Sequence, residues 1–214
     1  MGVVTFRRDS RISESERYKL RLFASQAGQN IHGLVQQLGL RVDFEYLDDE
    51  ISAALIYAPN CGSPSGYRIA VNAEHSVERQ RWSIAHEIGH FVLHREDPDF
   101  TVFCDRESYG EVIPLIPPQG NSHRSSKKSS LEREADAFSA SLLMPAYLVR
   151  KSINFRVLDI RKLANEFFVS YDAMARRVNE LRAVERASSS GQFTAEGGRT
   201  AQHIGDEQSL LQSA

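Results

Sequence analysis

Residues 86–90 spell His-Glu-Ile-Gly-His, and a helix is the local geometry in which that spelling makes chemical sense. With about 3.6 residues per turn, histidines four apart lie one turn apart on one face, where both can reach a single metal. Glu87 then stands beside the first histidine, close enough to act on a water at that metal without being a ligand itself. This is the H-E-x-x-H signature of zinc-dependent hydrolases, with two His ligands and a Glu general base. The pattern constrains the fold as well as the chemistry. A catalytic zinc takes three protein ligands and keeps one open position, so a third ligand is expected from a separate element packed against the first.

The surroundings suit such a helix. Ser76 can cap it, Glu78 suits its positive N-terminal end, and Trp82, Ile84, Ala85, Ile88, Phe91, Val92 and Leu93 supply apolar surface. Unpaired imidazoles would be costly in so apolar a setting, whereas metal-bound ones are not. A glycine inside a helix costs about 1 kcal/mol relative to alanine, so Gly89 predicts a second backbone packed closely there.

The best segment for the third ligand is 131–145, Leu-Glu-Arg-Glu-Ala-Asp-Ala-Phe-Ser-Ala-Ser-Leu-Leu-Met-Pro, which reads as a second helix ending near Pro145. Glu132 and Asp136 are four apart and share a face, whereas Glu134 points elsewhere. The pairing has a natural use: Glu132 binds the metal, and Asp136 accepts a hydrogen bond from the far nitrogen of a ligand histidine, fixing its orientation. The alternative is a solvated acidic first turn, which the helix dipole would favour by itself.

Three blocks together carry a family resemblance: Arg-Ile-Ala-Val-Asn (68–72), the run 78–94 around the two histidines, and Glu-Arg-Glu-Ala-Asp-Ala-Phe-Ser-Ala-Ser-Leu-Leu-Met-Pro (132–145). In combination they closely resemble the ImmA/IrrE metallopeptidases, over roughly residues 15 to 182. The resemblance implies His86, His90 and Glu132 as Zn2+ ligands and Glu87 as the catalytic acid/base. Asn or Asp is common in the family at the position of Asp136. It also implies a protein substrate, since characterised members cleave a partner transcriptional repressor; nothing in composition or spacing speaks to that.

Composition sets the outer bounds. A chain of 214 residues with 41% hydrophobic content can build one sizeable core. Its net charge of −2 gives no global case for binding nucleic acid or an anionic membrane. No apolar run is long enough for a membrane span, and the N-terminal residues lack a signal-peptide core. Cys61 and Cys104, the only two cysteines, fit no metal motif and read as free thiols. The expectation is a cytoplasmic protein with no membrane partner.

Along the chain, residues 13–38 suggest one long amphipathic helix stopped by Gly39. Strand candidates follow at Arg41–Tyr46, Ala53–Tyr57 and Tyr67–Asn72, the last two joined by a Pro- and Gly-rich hairpin loop. By analogy with zinc peptidases in which an edge strand holds substrate as an added strand, 67–72 is the candidate edge. Residues 95–130 read as a long irregular connection, a lid over the cleft or a plain surface loop. Within it Tyr109 and His123 could stabilise the oxyanion of peptide hydrolysis. His94 lies two helical turns from His86, about 12 Å along the axis, too far to join the same metal. A structural or cleft-lining role is expected for it. His32, His75 and His203 have no partner pattern.

Residues 158–182 read as two short helices with helix-turn-helix-like spacing, Ser170 capping the second. Arg176, Arg177 and Arg182 occupy the recognition-helix position. Five basic residues meet four acidic ones there, a weak footprint for a DNA reader, so packing or docking of a repressor substrate is favoured over DNA. The expected fold is α+β: a small sheet with gluzincin-like zinc-peptidase helices and a C-terminal helix-turn-helix-like segment. The expected organisation is a metallopeptidase domain at 13–150, the helix-turn-helix-like segment at 151–184 and a flexible tail at 185–214.

Overall fold

The three strand candidates form as expected and pair into a sheet. The computed structural model describes residues 9–26, 29–97, 103–104, 122–153 and 158–192. Strands β1 (Arg41–Glu45), β2 (Ala53–Tyr57), β3 (Tyr67–Asn72) and the two-residue β4 (Phe103–Cys104) lie in the order β1-β3-β2-β4. β3 runs parallel to β1 and antiparallel to β2, and β2 pairs parallel with β4. The β2–β3 loop carries Gly62 and Gly66 at φ of 79° and 74°, conformations that a side chain would strain.

β3 is therefore an interior strand, not the edge expected for it. Ile69, Ala70, Val71 and Asn72 are all buried. An unbroken Ile-Ala-Val run is the mark of a strand covered on both faces, whereas a half-solvated strand alternates.

The helix expected over 13–38 is two helices, α1 (Glu14–Ser25) and α2 (Ile31–Gln37). Asn30 starts the second of them: its side-chain oxygen accepts the Gly33 N–H at 2.9 Å. At the other end of α1, Ser13 and Glu16 form a reciprocal capping box. Gly39, at φ 78°, stops α2 as the sequence suggests.

Helix α3 (Val77–His94) packs against β2 and β3 on one side and against α4 (Ser122–Leu143) on another. Ile84, Ile88 and Val92 with Phe138, Leu142 and Leu143 are the centre of the core, all nearly inaccessible to solvent. α4 begins earlier than the expected 131, so 122–130 is helical instead of irregular. No proline or glycine interrupts the chain between Asn121 and Met144, and the helix extends until Pro145 closes it. The rest of the long connection lies outside the described residues.

Beyond α4 come α5 (Ala146–Ser152), α6 (Ile160–Phe167) and α7 (Tyr171–Gln192). Asp159 caps α6, and the Ser170 hydroxyl caps α7 by accepting the Ala173 N–H at 3.2 Å. Phe168, at φ 53°, makes the turn between them. α7 continues past the boundary expected at 184, and residues 193–214 lie outside the described set. Contacts divide the chain into a first compact unit ending at Arg177 and a second beginning at Val178. Arg177 is not on a basic face: it is buried and its Nε donates to the Met144 carbonyl at 3.0 Å. Among the described residues the fold is α+β, with seven helices and one small sheet. No described helix is long and apolar enough to cross a membrane.

Candidate metal centre

The two histidines are brought into place by a helix that is buried almost all round. Ser76 caps α3 by accepting the Arg79 N–H at 3.3 Å. From Ile84 onward almost every residue of α3 is buried, because sheet and α4 enclose it. Gly89 permits that enclosure: a Cβ there would stand 3.3 Å from the Ala135 Cα and 3.1 Å from the Phe138 ring. The glycine marks a close backbone approach, as its presence inside a helix suggests.

That approach sets α4 beside the histidine face. His86 Nε2 and His90 Nε2 are 2.9 Å apart. Glu132 Oε2 lies 3.1 Å from the first and 3.5 Å from the second. A tetrahedral zinc with bonds of about 2.0–2.1 Å sets its ligand atoms about 3.3 Å from one another, and these three atoms form a triangle of that size. The residues present fit such an ion. Among the described residues, they form one cluster whose donor atoms could hold a metal.

The charges tell the same story. Burial works against a charged His86, but the Asp136 and Glu132 carboxylates outweigh it and push the imidazole up to about 10. Glu132 is held far below the usual carboxylate range by hydrogen bonds from the two histidines. Two imidazoles facing a carboxylate at this spacing are a pocket of electron pairs, which a divalent cation satisfies better than protons do.

Each histidine ring of the cluster also has a polar neighbour on its far side. His86 Nδ1 lies 3.1 Å from Asp136 Oδ1, the contact expected of Asp136 from its spacing. His90 Nδ1 lies 3.0 Å from His94 Nδ1, and His94 Nε2 lies 3.4 Å from Glu134 Oε2. His94, wholly buried, stays outside the His86–His90–Glu132 cluster, as the axial distance requires. Burial and the neighbouring His90 lower its pKa, with Glu134 opposing.

Glu87 adjoins the same cluster, within electrostatic reach of His86, His90 and Glu132. It is buried, and that burial raises its carboxyl above the usual range, opposed by His86, by His90 and by a hydrogen bond from the Leu55 backbone. Of the two oxyanion candidates, Tyr109 lies outside the described residues. His123 falls in the first turn of α4, with its side chain outside the described set. His32 lies against Phe44, away from this centre.

Residues 35–179 match the model of peptidase family M78, the IrrE N-terminal-like domain. The chain belongs to that family. No curated relative matches it. The M78 match covers α3 and α4, so the paired helices and their His-His-Glu cluster lie within the part of the chain that the family defines. Membership makes the chain one of a family of peptidases, and the cluster is compatible with the metal that a metallopeptidase needs.

The sequence reading missed the partner behind His90. The signal was present: His94 is four residues beyond His90 and Glu134 is two beyond Glu132, so the same one-turn arithmetic that paired His86 with His90 also pairs His90 with His94.

Proposed function

We propose that this M78 peptidase is a zinc-dependent endopeptidase that cleaves a partner protein, a helix-turn-helix transcriptional repressor. In this reading His86, His90 and Glu132 hold the metal, Glu87 is the general base and Asp136 orients His86. The observation that carries it is the convergence of three ligand atoms from α3 and α4 on one point, with the buried Glu87 next to it in the chain. Two imidazoles and one carboxylate favour zinc over harder cations.

A metal bound there would acidify a water molecule and polarise the scissile carbonyl. Glu87 takes the proton of the attacking water and delivers it to the leaving amine nitrogen. The Leu55 backbone hydrogen bond restrains the Glu87 carboxylate, so that it serves both transfers from one position. Asp136 accepts the His86 Nδ1 proton and keeps Nε2 turned inward. Tyr109 and His123 are the candidates for the oxyanion. The repressor substrate and a cytoplasmic setting rest on the likeness to ImmA/IrrE proteins. Direct DNA binding is disfavoured by the balanced charge of 158–182 and the inward position of Arg177.

The test pairs wild type with Glu87→Gln, each incubated with zinc and a candidate repressor and read by intact mass. Cleavage by wild type alone, with one zinc retained by both proteins, is the expected result. Cleavage that survives loss of Glu87 would place the active site elsewhere. A stable complex with no cleavage by either protein would make the chain a binding partner of the repressor.

A further inference from the structure

The clearest unassigned feature is a line of polar side chains running outward from His90. His90 Nδ1 meets His94 Nδ1 at 3.0 Å, His94 Nε2 meets Glu134 Oε2 at 3.4 Å, and Arg11 Nη1 donates to that same oxygen at 2.7 Å. Arg11 is in turn held by Asp9, whose Oδ2 accepts from Nη2 at 2.7 Å. The chain starts on α3, crosses to α4 and ends in the segment ahead of α1.

Its proton positions follow from the ligand geometry. Nε2 of His90 faces His86 and Glu132, so a metal there takes the Nε2 lone pair and the ring proton resides on Nδ1. That proton is then directed at His94 Nδ1, 3.0 Å away. His94 then carries its own proton on Nε2, directed at the Glu134 carboxylate. Along this series each donor meets an acceptor, and the series ends on a carboxylate whose charge Arg11 balances.

We infer that His94, Glu134 and Arg11 form a positioning relay that fixes the tautomer and ring orientation of His90, and so tie metal affinity to the N-terminal segment Asp9–Arg11. The inference rests on the proposed metal site. On its Nδ1 side His86 meets the Asp136 carboxylate directly, whereas His90 Nδ1 meets a second imidazole that in turn meets Glu134. The two arms do the same work by different routes. Ligand histidines generally need such a partner, and losing it weakens metal binding about 10- to 100-fold.

The experiment measures zinc affinity of the full chain by competition with a chromophoric chelator, with the visible spectrum of the cobalt(II)-loaded protein as a second readout. Variants are His94→Leu, His94→Asn, Glu134→Gln and the double variant His94→Leu/Glu134→Gln. His94→Leu should lower zinc affinity about 10- to 100-fold, and His94→Asn, whose side-chain oxygen stands near the place of Nδ1, should recover most of the loss. Glu134→Gln, a near-isosteric change at a partly exposed position, should lower it several-fold and shift the cobalt bands. In the double variant the second change should add nothing, because the series is already cut upstream.

Wild-type affinity with unshifted cobalt bands in Glu134→Gln, or a His94→Asn no better than His94→Leu, would overturn the relay. Wild-type protein that takes up no zinc, or uptake indifferent to His86→Ala, would instead overturn the metal site itself. The two failures are therefore distinguishable.

Discussion

A Cβ on Gly89 would stand 3.3 Å from the Cα of Ala135, so α3 and α4 meet backbone to backbone one residue before His90. That contact fixes how far Glu132 can reach across to the histidines. Gly89→Ala would improve helix propensity by about 1 kcal/mol and incur an overpacking cost of about 1–3 kcal/mol. Thermal stability should change little or fall slightly. Zinc affinity should fall more, because α4 can relieve the clash only by carrying Glu132 away. Parallel melts and chelator competition on one preparation would separate the two effects.

Asp136→Ala should weaken zinc binding about 10- to 100-fold with Glu132 and both histidines intact. Asp136→Asn should retain more, since its side-chain oxygen can still accept from His86 Nδ1. The check is the dissociation constant, with the melting temperature of metal-free protein as the control for folding.

Zinc should stabilise the native chain by mass action, about 2.7 kcal/mol at a hundredfold excess over Kd. A chelator should reverse the gain. His90→Ala should abolish it, whereas Glu87→Gln should keep it, because Glu87 is the proposed base and not a ligand. Calorimetric scans with and without zinc would show whether ligands and base divide in this way.

Asn72 is wholly buried at the end of β3. Its Nδ2 donates to the carbonyls of Leu47, Asp48 and Ile51 at 3.2, 3.3 and 3.0 Å, and its Oδ1 accepts from the Glu74 N–H at 3.1 Å. One amide thus holds the connection that leads into β2, the strand bearing Leu55. Asn72→Leu should cost about 2–4 kcal/mol by stranding buried acceptors. Asn72→Asp should cost more, because a carboxylate would face three carbonyl oxygens. Urea denaturation of the two variants would rank them.

Acid should loosen α1 from α3. Burial acts to raise the Glu16 pKa, but Arg95 at 2.7 Å and the Ser13 hydroxyl and backbone N–H outweigh it and hold the carboxyl below its ordinary 4.5. A depressed carboxyl stabilises the fold above the unfolded value and loses that contribution as pH falls through the folded one. Glu16→Gln should therefore be less stable than wild type by about 1–2 kcal/mol at neutral pH. The gap should close as pH is lowered below the ordinary carboxyl value of 4.5. Paired urea melts across that range give the difference directly.

Much of this was legible in the sequence because it depends on local rules. His86, His90, Glu132 and Asp136 follow from four-residue spacing on helices, and Ser76, Ser170 and Gly39 follow from cap chemistry. Three of the four described strands match the sequence almost to the residue, while β4 falls in the stretch read as an irregular connection. What escaped depends on pairing between distant segments. Whether β3 was edge or interior turned on β1, which returns to it from the far side. The break at Asn30 was hidden because the apolar stripe runs through it without losing phase. Arg177 reads as a surface cation until the Met144 carbonyl is placed beside it. His94 was judged only by its distance from the metal, and its contact with His90 is a matter of what lies behind the ligand.

Glu132, Glu134 and Asp136 all belong to a single turn or so of α4, and between them they meet His86, His90 and His94. Successive helix positions differ by about 100° of rotation, so a roll of α4 by one position would withdraw all three carboxylates together. No partial misalignment leaves one arm engaged and another free. The centre behaves like a key with three bits cut on one shaft: it is seated or it is out, and the angle of a single helix decides which.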